Sequence, residues 1–137
     1  MSLISAVLSN LETKLRTAIP SLPVGTLGVE RAWRPTHELQ PGALPHVFLW
    51  NLQEQPERLI HRQIRVSVSF TGLIVRRGST HDQALADYDA LLDAIEAEPS
   101  MGGSLEQAQL GLDGLESEEG GNAIGVLFSF SGRTVLL

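Results

Sequence analysis

The residues able to do chemistry in this chain are few and scattered. Its four histidines, His37, His46, His61 and His81, show neither HxH nor HExxH spacing, and the sequence has no cysteine. Thiolate zinc sets and cysteine nucleophiles are therefore unavailable. Ser79, His81 and Asp82 are the right types for nucleophilic catalysis, but neighbours in one helical turn do not converge as a triad does. The same segment fits a helix start better, because Thr80 and Gln83 have the spacing of a capping box and Asp82 places negative charge in the first turn. Gly111 to Gly121 carries Asp113, Glu116, Glu118 and Glu119, without the ligand spacing of an EF-hand loop, and reads as a solvated hairpin turn. No GxxxxGK[ST] or GxGxxG segment occurs, so nucleotide binding has no motif. The expectation is a protein with no catalytic, cofactor-binding or metal-binding residues, and not an enzyme.

Charge is the more informative signal. The net charge is −6, but residues 1–77 carry nine basic side chains against five acidic ones, whereas residues 78–137 carry eleven acids and Arg133 alone. Lopsided segments of this kind invite an oppositely charged partner, and a second copy of the chain qualifies. The acidic total disfavours non-specific nucleic-acid binding. Arg62 and Arg65 lie on or near the polar face of a predicted strand and Arg76 and Arg77 leave its end, so together they read as a basic surface. Asp89, Asp93 and Glu96, with Asp82 close by and Asp87 and Glu98 near, read as an acidic helix face. Arg62, Arg65, Arg76 and Arg77 meeting Asp89, Asp93 and Glu96 across a subunit boundary is the expected interface. Such head-to-tail contacts close into rings when the rotation permits.

These side chains need elements to position them, and periodicity supplies an order. Ile4, Leu8, Leu11, Leu15 and Ile19 recur at spacings of three and four, predicting an amphipathic helix over 3–19 with Ser2 as its N-cap and Pro20 as its stop. An extended segment around Val29–Arg34 follows, then a proline-punctuated loop from Pro35 to Pro45. His46–Leu52 and Ile60–Val75 read as strands. The second alternates, with Ile64, Val66, Val68 and Phe70 on one face and Arg65, Ser67, Ser69 and Thr71 on the other, so the sheet is expected to be covered on one side. Gln53–Leu59, polar and containing Pro56, reads as a projecting hairpin tip, and Gly72 as a possible bulge or bend. A helix from Thr80 buries Ala84, Leu85, Tyr88, Leu91, Leu92 and Ile95. Leu110–Glu116 and Ala123–Val135 form a closing hairpin around Glu118 to Asn122. The fold class is α+β: one domain over residues 1–137, with a mainly antiparallel sheet of four to five strands and two helices packed on one face. No secretory signal pattern precedes Leu3–Leu15, and no apolar run has the length of a membrane span, which suggests a cytoplasmic protein or one packaged into something assembled there, with no membrane partner.

This order resembles that of the tail terminator proteins of long-tailed phages. The resemblance is carried by the leading amphipathic helix, the early strand pair with its hairpin, the helix Ala84-Leu85-Ala86-Asp87-Tyr88-Asp89-Ala90-Leu91-Leu92-Asp93-Ala94-Ile95, and the closing hairpin. Its most family-like piece is Leu110-Gly111-Leu112-Asp113-Gly114-Leu115-Glu116 followed by Ile124-Gly125-Val126-Leu127-Phe128-Ser129-Phe130. The resemblance implies a minor tail protein that forms a hexameric ring on the finished tail tube and stops tube polymerisation. It would also present a docking surface to the head-side connector or stopper protein, with DNA passing through the ring channel. Its place would be the virion tail, assembled in the host cytoplasm. Another neck or minor tail assembly protein is the alternative. A small ligand-binding or enzymatic domain would instead show a deep apolar pocket with His46 or His61 beside a carboxylate.

Overall fold

A computed structural model describes residues 3–25, 28–33, 45–78, 80–117 and 123–136. The first helix, α1, spans Leu3–Ala18 and buries Val7, Leu8, Leu11 and Leu15. Its N-terminal orphan donors are met from a distance, because the Ile4 N–H donates to the Glu54 carboxylate at 2.8 Å. An anion there also complements the helix dipole. Ser2, the expected cap, lies outside the described residues. Ile19 still bonds back to the Leu15 carbonyl, and Pro20 cannot continue the ladder. Arg16 then fastens the following loop, donating to the carbonyls of Pro23 at 2.7 Å and Gly25 at 2.9 Å.

Among the described residues five strands follow: β1 (Val29–Glu30), β2 (His46–Arg58), β3 (Ile64–Arg77), β4 (Gln107–Ser117) and β5 (Ala123–Leu136), with α2 (Asp82–Ala97) between β3 and β4. They form one sheet in the order β1-β2-β3-β5-β4. Only the two-residue β1 pairs in parallel, and β2–β3, β3–β5 and β4–β5 are antiparallel. The fold is therefore α+β, with the expected succession of helix, three strands, helix, two strands. The expected extended segment around Val29 shortens to Val29–Glu30, while Arg34 and the proline-rich loop as far as residue 44 fall outside the described residues.

The hairpin between β2 and β3 differs from the sequence expectation. Gln53–Arg58 does not form the tip. It continues β2, with Gln53 opposite Ser69 and Arg58 opposite Ile64, and the turn is Leu59–Gln63, containing a short 3-10 segment Ile60–Arg62. Pro56 pairs opposite Val66, in a stretch where β2 has no outer neighbour among the described residues, and an edge strand tolerates a missing N–H. The bulge also lies elsewhere than expected. Register slips between Trp50 and Gln53, where Asn51 takes a φ of 58°, whereas Gly72 sits in regular register between Leu49 and Phe128. Gly72 is there for space, since a Cβ on it would overlap the Phe128 ring.

Both helices bury their stripes on one face of the sheet, in a core that joins Leu8, Leu11, Leu15, Leu91 and Ile95 to Val68, Phe70, Ile74, Val126, Phe128 and Phe130. Phe70 and Phe130 stack at 4.7 Å between ring centroids, and Tyr88 of α2 lies 6.3 Å from Phe128. The opposite face is not polar throughout. Phe48, Leu73, Val75 and Ala123 make a second, smaller buried cluster, with Trp50 and Leu127 against it, so the alternation read from Ile64 to Thr71 gives way at Leu73.

The start of α2 also departs from its expected capping box. His81 is the N-cap residue and no side-chain cap bond forms. Gln83 turns instead toward Asp87, and the His81 ring, as its Nε2–H tautomer, donates to the Glu116 carbonyl on β4 at 2.7 Å. The helix is thereby tied to the sheet by its first turn. Ser79 lies outside the described residues. The packing of Phe128 over Gly72 yields a prediction: Gly72→Ala will lower unfolding free energy by about 1–3 kcal/mol through overpacking. Gly111→Ala, whose Cβ meets only the Ser129 hydroxyl at 3.6 Å, will change it by less than about 1 kcal/mol. Urea unfolding of both variants checks the contrast.

Candidate functional site

Helix α2 is oriented about its axis by one buried acid. Asp87 is 3% exposed and receives both the Arg76 Nε–H and, at 3.0 Å, the Arg76 Nη2–H, a bidentate ion pair at the end of β3. At about 100° per residue, Asp82, Asp89, Asp93 and Glu96 fall between about 180° and 240° away from Asp87, on the far side of the helix. All four are exposed. The acidic face expected from the sequence therefore stands, without Asp87. Glu98 leaves it too, since Lys14 of α1 donates to its carboxylate at 2.9 Å; that bond, with the lysine charge and the Gly102 N–H, holds the Glu98 carboxyl below the usual range.

The negative field is felt by Tyr88. Its phenol is pushed up, first by burial and then by Asp89, Asp113 and Glu96, so acids from both α2 and β4 act on this hydroxyl. On β4, Leu112 and Leu115 are 50% and 51% exposed. They stand opposite Phe128 and Val126, two residues of the helix-side core, and so face the same side of the sheet as α2.

The arginines do not form one surface. Arg65 and Arg76 are eleven residues apart along β3, about 36 Å for an extended strand. Arg76 is turned inward to Asp87, and Arg77 lies exposed at the same end. Arg65 faces Glu57 across the hairpin at 3.6 Å, with both side chains more than a third exposed. Arg62 is exposed on the turn. The structure thus separates Arg62 and Arg65 from Arg76 and Arg77, and it places Arg62 with residues that sequence reasoning had left out: Arg58, Ile60 and His61. Ile60 is 76% exposed, and His61 and Arg62 both adopt a φ of 63°, a left-handed conformation that costs a non-glycine residue free energy. The cue was present in the sequence, where Arg58, His61, Arg62 and Arg65 fall within eight positions around an isoleucine.

Groups suited to catalysis are arranged differently. His46 contacts Glu30 through Nε2 at 3.1 Å and packs edge-on against Phe48 at 4.5 Å. A histidine beside a carboxylate is thus present, but His46 is fully buried and offers its imidazole to no solute. On the polar sheet face, a hollow of about 360 Å³ is lined by Ser67, Ser69, Gln109, Ser131 and Arg133 among others; the arginine is its one titratable group. Among the described residues no three His, Asp or Glu side chains gather as metal ligands. No protein-family model matches the chain, and no curated protein matches it.

Two measurements test this charge arrangement. Asp87→Ala leaves a largely buried guanidinium unpaired and will cost about 3 kcal/mol of stability, whereas Asp89→Lys and Asp93→Lys will each change it by less than about 0.5 kcal/mol; urea unfolding separates them. Tyr88 is the single tyrosine, so ultraviolet phenolate titration reads it alone. Its midpoint will lie above the ordinary phenol value, and Asp89→Lys will move it down.

Proposed function

We propose that this chain is a tail terminator of a long-tailed phage or prophage. In this reading it is a structural protein that assembles as a ring on the end of the tail tube, stops tube growth and offers its exposed face to the head-side connector, while DNA passes through the central channel. It acts by binding and self-association, with no cofactor and no covalent step. Its place is the virion tail, assembled in the host cytoplasm. No helix among the described residues is long and apolar enough to cross a membrane.

The observation that carries the reading is the separation of charge along one rigid sheet. The exposed acids of α2 lie on a helix that covers one part of the sheet, and the exposed Arg58, at the end of β2, and Arg62, on the turn, lie at the far end of β3. Opposed surfaces that cannot reach each other within a chain are suited to repeated head-to-tail contacts. The order α1, β1, β2, β3, α2, β4, β5 supports the same reading through its resemblance to that family. A buried His46 removes the accessible imidazole that an enzymatic reading of the His46–Glu30 pair requires.

Electron microscopy of tail tubes growing from purified tube protein tests it. With the chain added, tubes are expected to stop at shorter mean length and to carry extra density at one end. Tubes that keep elongating with bare ends in excess chain overturn the reading. Binding to the head-side connector in the absence of any effect on tubes would assign the chain to the neck instead. A monomer by light scattering before tube is added is compatible with the proposal, since binding to the tube end can drive assembly by mass action.

A further inference from the structure

The turn joining β2 and β3 has a composition that its own chain does not use. Ile60 projects with 76% of its surface exposed, flanked by the exposed Arg58, His61 and Arg62. Large apolar side chains at a loop apex gain nothing from water, and two successive left-handed non-glycine residues, His61 and Arg62 at φ 63°, hold it outward at a cost. An apolar point flanked by two arginines calls for an apolar surface bordered by anions. The chain carries one. Where α2 is tied to β4 through His81 and Glu116, the half-exposed Leu112 and Leu115 lie on the face of β4 that α2 shares, opposite Phe128 and Val126, and Asp89 and Glu96 are exposed on α2 itself.

We propose that the Ile60 turn of one copy docks onto this face of β4 and α2 in a second copy, with Arg58 and Arg62 facing Asp89 and Glu96. The occupant cannot be the same molecule. Leu112 and Leu115 align through Phe128 and Val126 with Gly72 and Ile74 of β3, eight and ten residues from Ile64, or about 26–33 Å along an extended strand. Each copy therefore presents both halves of the contact at separated places, and the contact is heterologous, so it propagates around a ring or along a filament. The leucines and Ile60 supply the buried area, and the charges set orientation and exclude wrong registers. This gives the self-association invoked above its surface and partner, and rests on that reading only for the assembly in which it operates.

The absence of cysteine from the chain makes disulfide trapping a clean test. Full-length Ile60→Cys and Leu112→Cys variants, mixed under mild oxidation, are expected to give predominantly the mixed dimer. The double variant I60C/L112C is expected to give a ladder of higher species. Adding Asp89→Lys and Glu96→Lys to the Leu112→Cys copy is expected to abolish the bridge, and Arg58→Glu with Arg62→Glu on the Ile60→Cys copy to restore it. No mixed dimer at any soluble concentration, or Ile60→Cys pairing with itself as readily as with Leu112→Cys, overturns the proposal. So does a labelled DNA duplex that binds wild type, ignores Arg58→Glu/Arg62→Glu, and coincides with no bridge, because the turn would then serve phosphate. A bridge with no effect on tube ends leaves the contact standing and removes the terminator reading; capped tubes from a chain that forms no bridge do the reverse.

Discussion

The ion pair between Arg76 and Asp87 governs what the molecule shows to its surroundings. A buried pair of this kind is a weak source of net stability, because desolvation offsets most of the attraction, and well-packed apolar residues often do as well. Its contribution is specification. With side-chain exposures of 18% and 4%, the pair removes one arginine from the basic set and one aspartate from the acidic set. It also leaves only one rotation of α2 compatible with a satisfied Asp87. That rotation puts Ala84, Leu91 and Ile95 into the core and sends the remaining carboxylates of the helix outward together. A helix free to roll would present a mixed face.

A second constraint is dimensional. Helices α1 and α2 have sixteen residues each, about 24 Å of length, while β3 and β5 have fourteen, about 46 Å when extended. Two helices on one face cannot cover such strands from end to end. The uncovered remainder is the end where β2 reads exposed from Asn51 to Arg58 and where β3 pairs with β5 as far as Ile64 opposite Leu136. The arm stays ordered because three strands, not two, run through it, and because Glu54 reaches the first turn of α1. An isolated two-stranded hairpin of this composition would be marginal.

Much of this was legible in the sequence wherever one face is buried. The stripes of α1 and α2 and the alternation from Ile64 to Phe70 follow from periods of 3.6 and 2, and so does the order of the elements. The arm was not legible for the same reason. Gln53 to Arg58 has solvent on both faces, so no apolar alternation marks it as strand, and Pro56 argues against one unless the edge is known to be free. Gly72 misled in a related way, since a glycine that admits an aromatic ring from the next strand looks the same in sequence as one that bends the chain. Asp87 was readable in principle: it falls about 40° from Leu91 on a helical wheel, too near the apolar stripe to be a surface acid. The thirteenth position of the His46 strand, by contrast, is set by pairing with β3, which no local pattern records.

The edges of the sheet limit how a second copy of this chain could meet it. Unpaired strand edges invite strand addition, and among the described residues both edges are obstructed. Beyond Phe48, the outer edge of β2 carries a bulge after Trp50, then Glu54, Pro56, Glu57 and Arg58 in succession. The outer edge of β4 is broken by a register slip between Leu112 and Gly114, with Asp113 at the slip and Glu116 beyond. A proline removes a donor, a bulge turns the edge away, and acids on an incoming strand would stand against acids already present. Self-association by sheet extension is thereby disfavoured from either side. What remains is contact through side chains, which puts selection on where apolar and charged groups project. With sheet extension obstructed in this way, the exposed Ile60 at one end and Leu112 and Leu115 near the other can be met by a partner only through their side chains, which is the kind of contact the proposed docking requires.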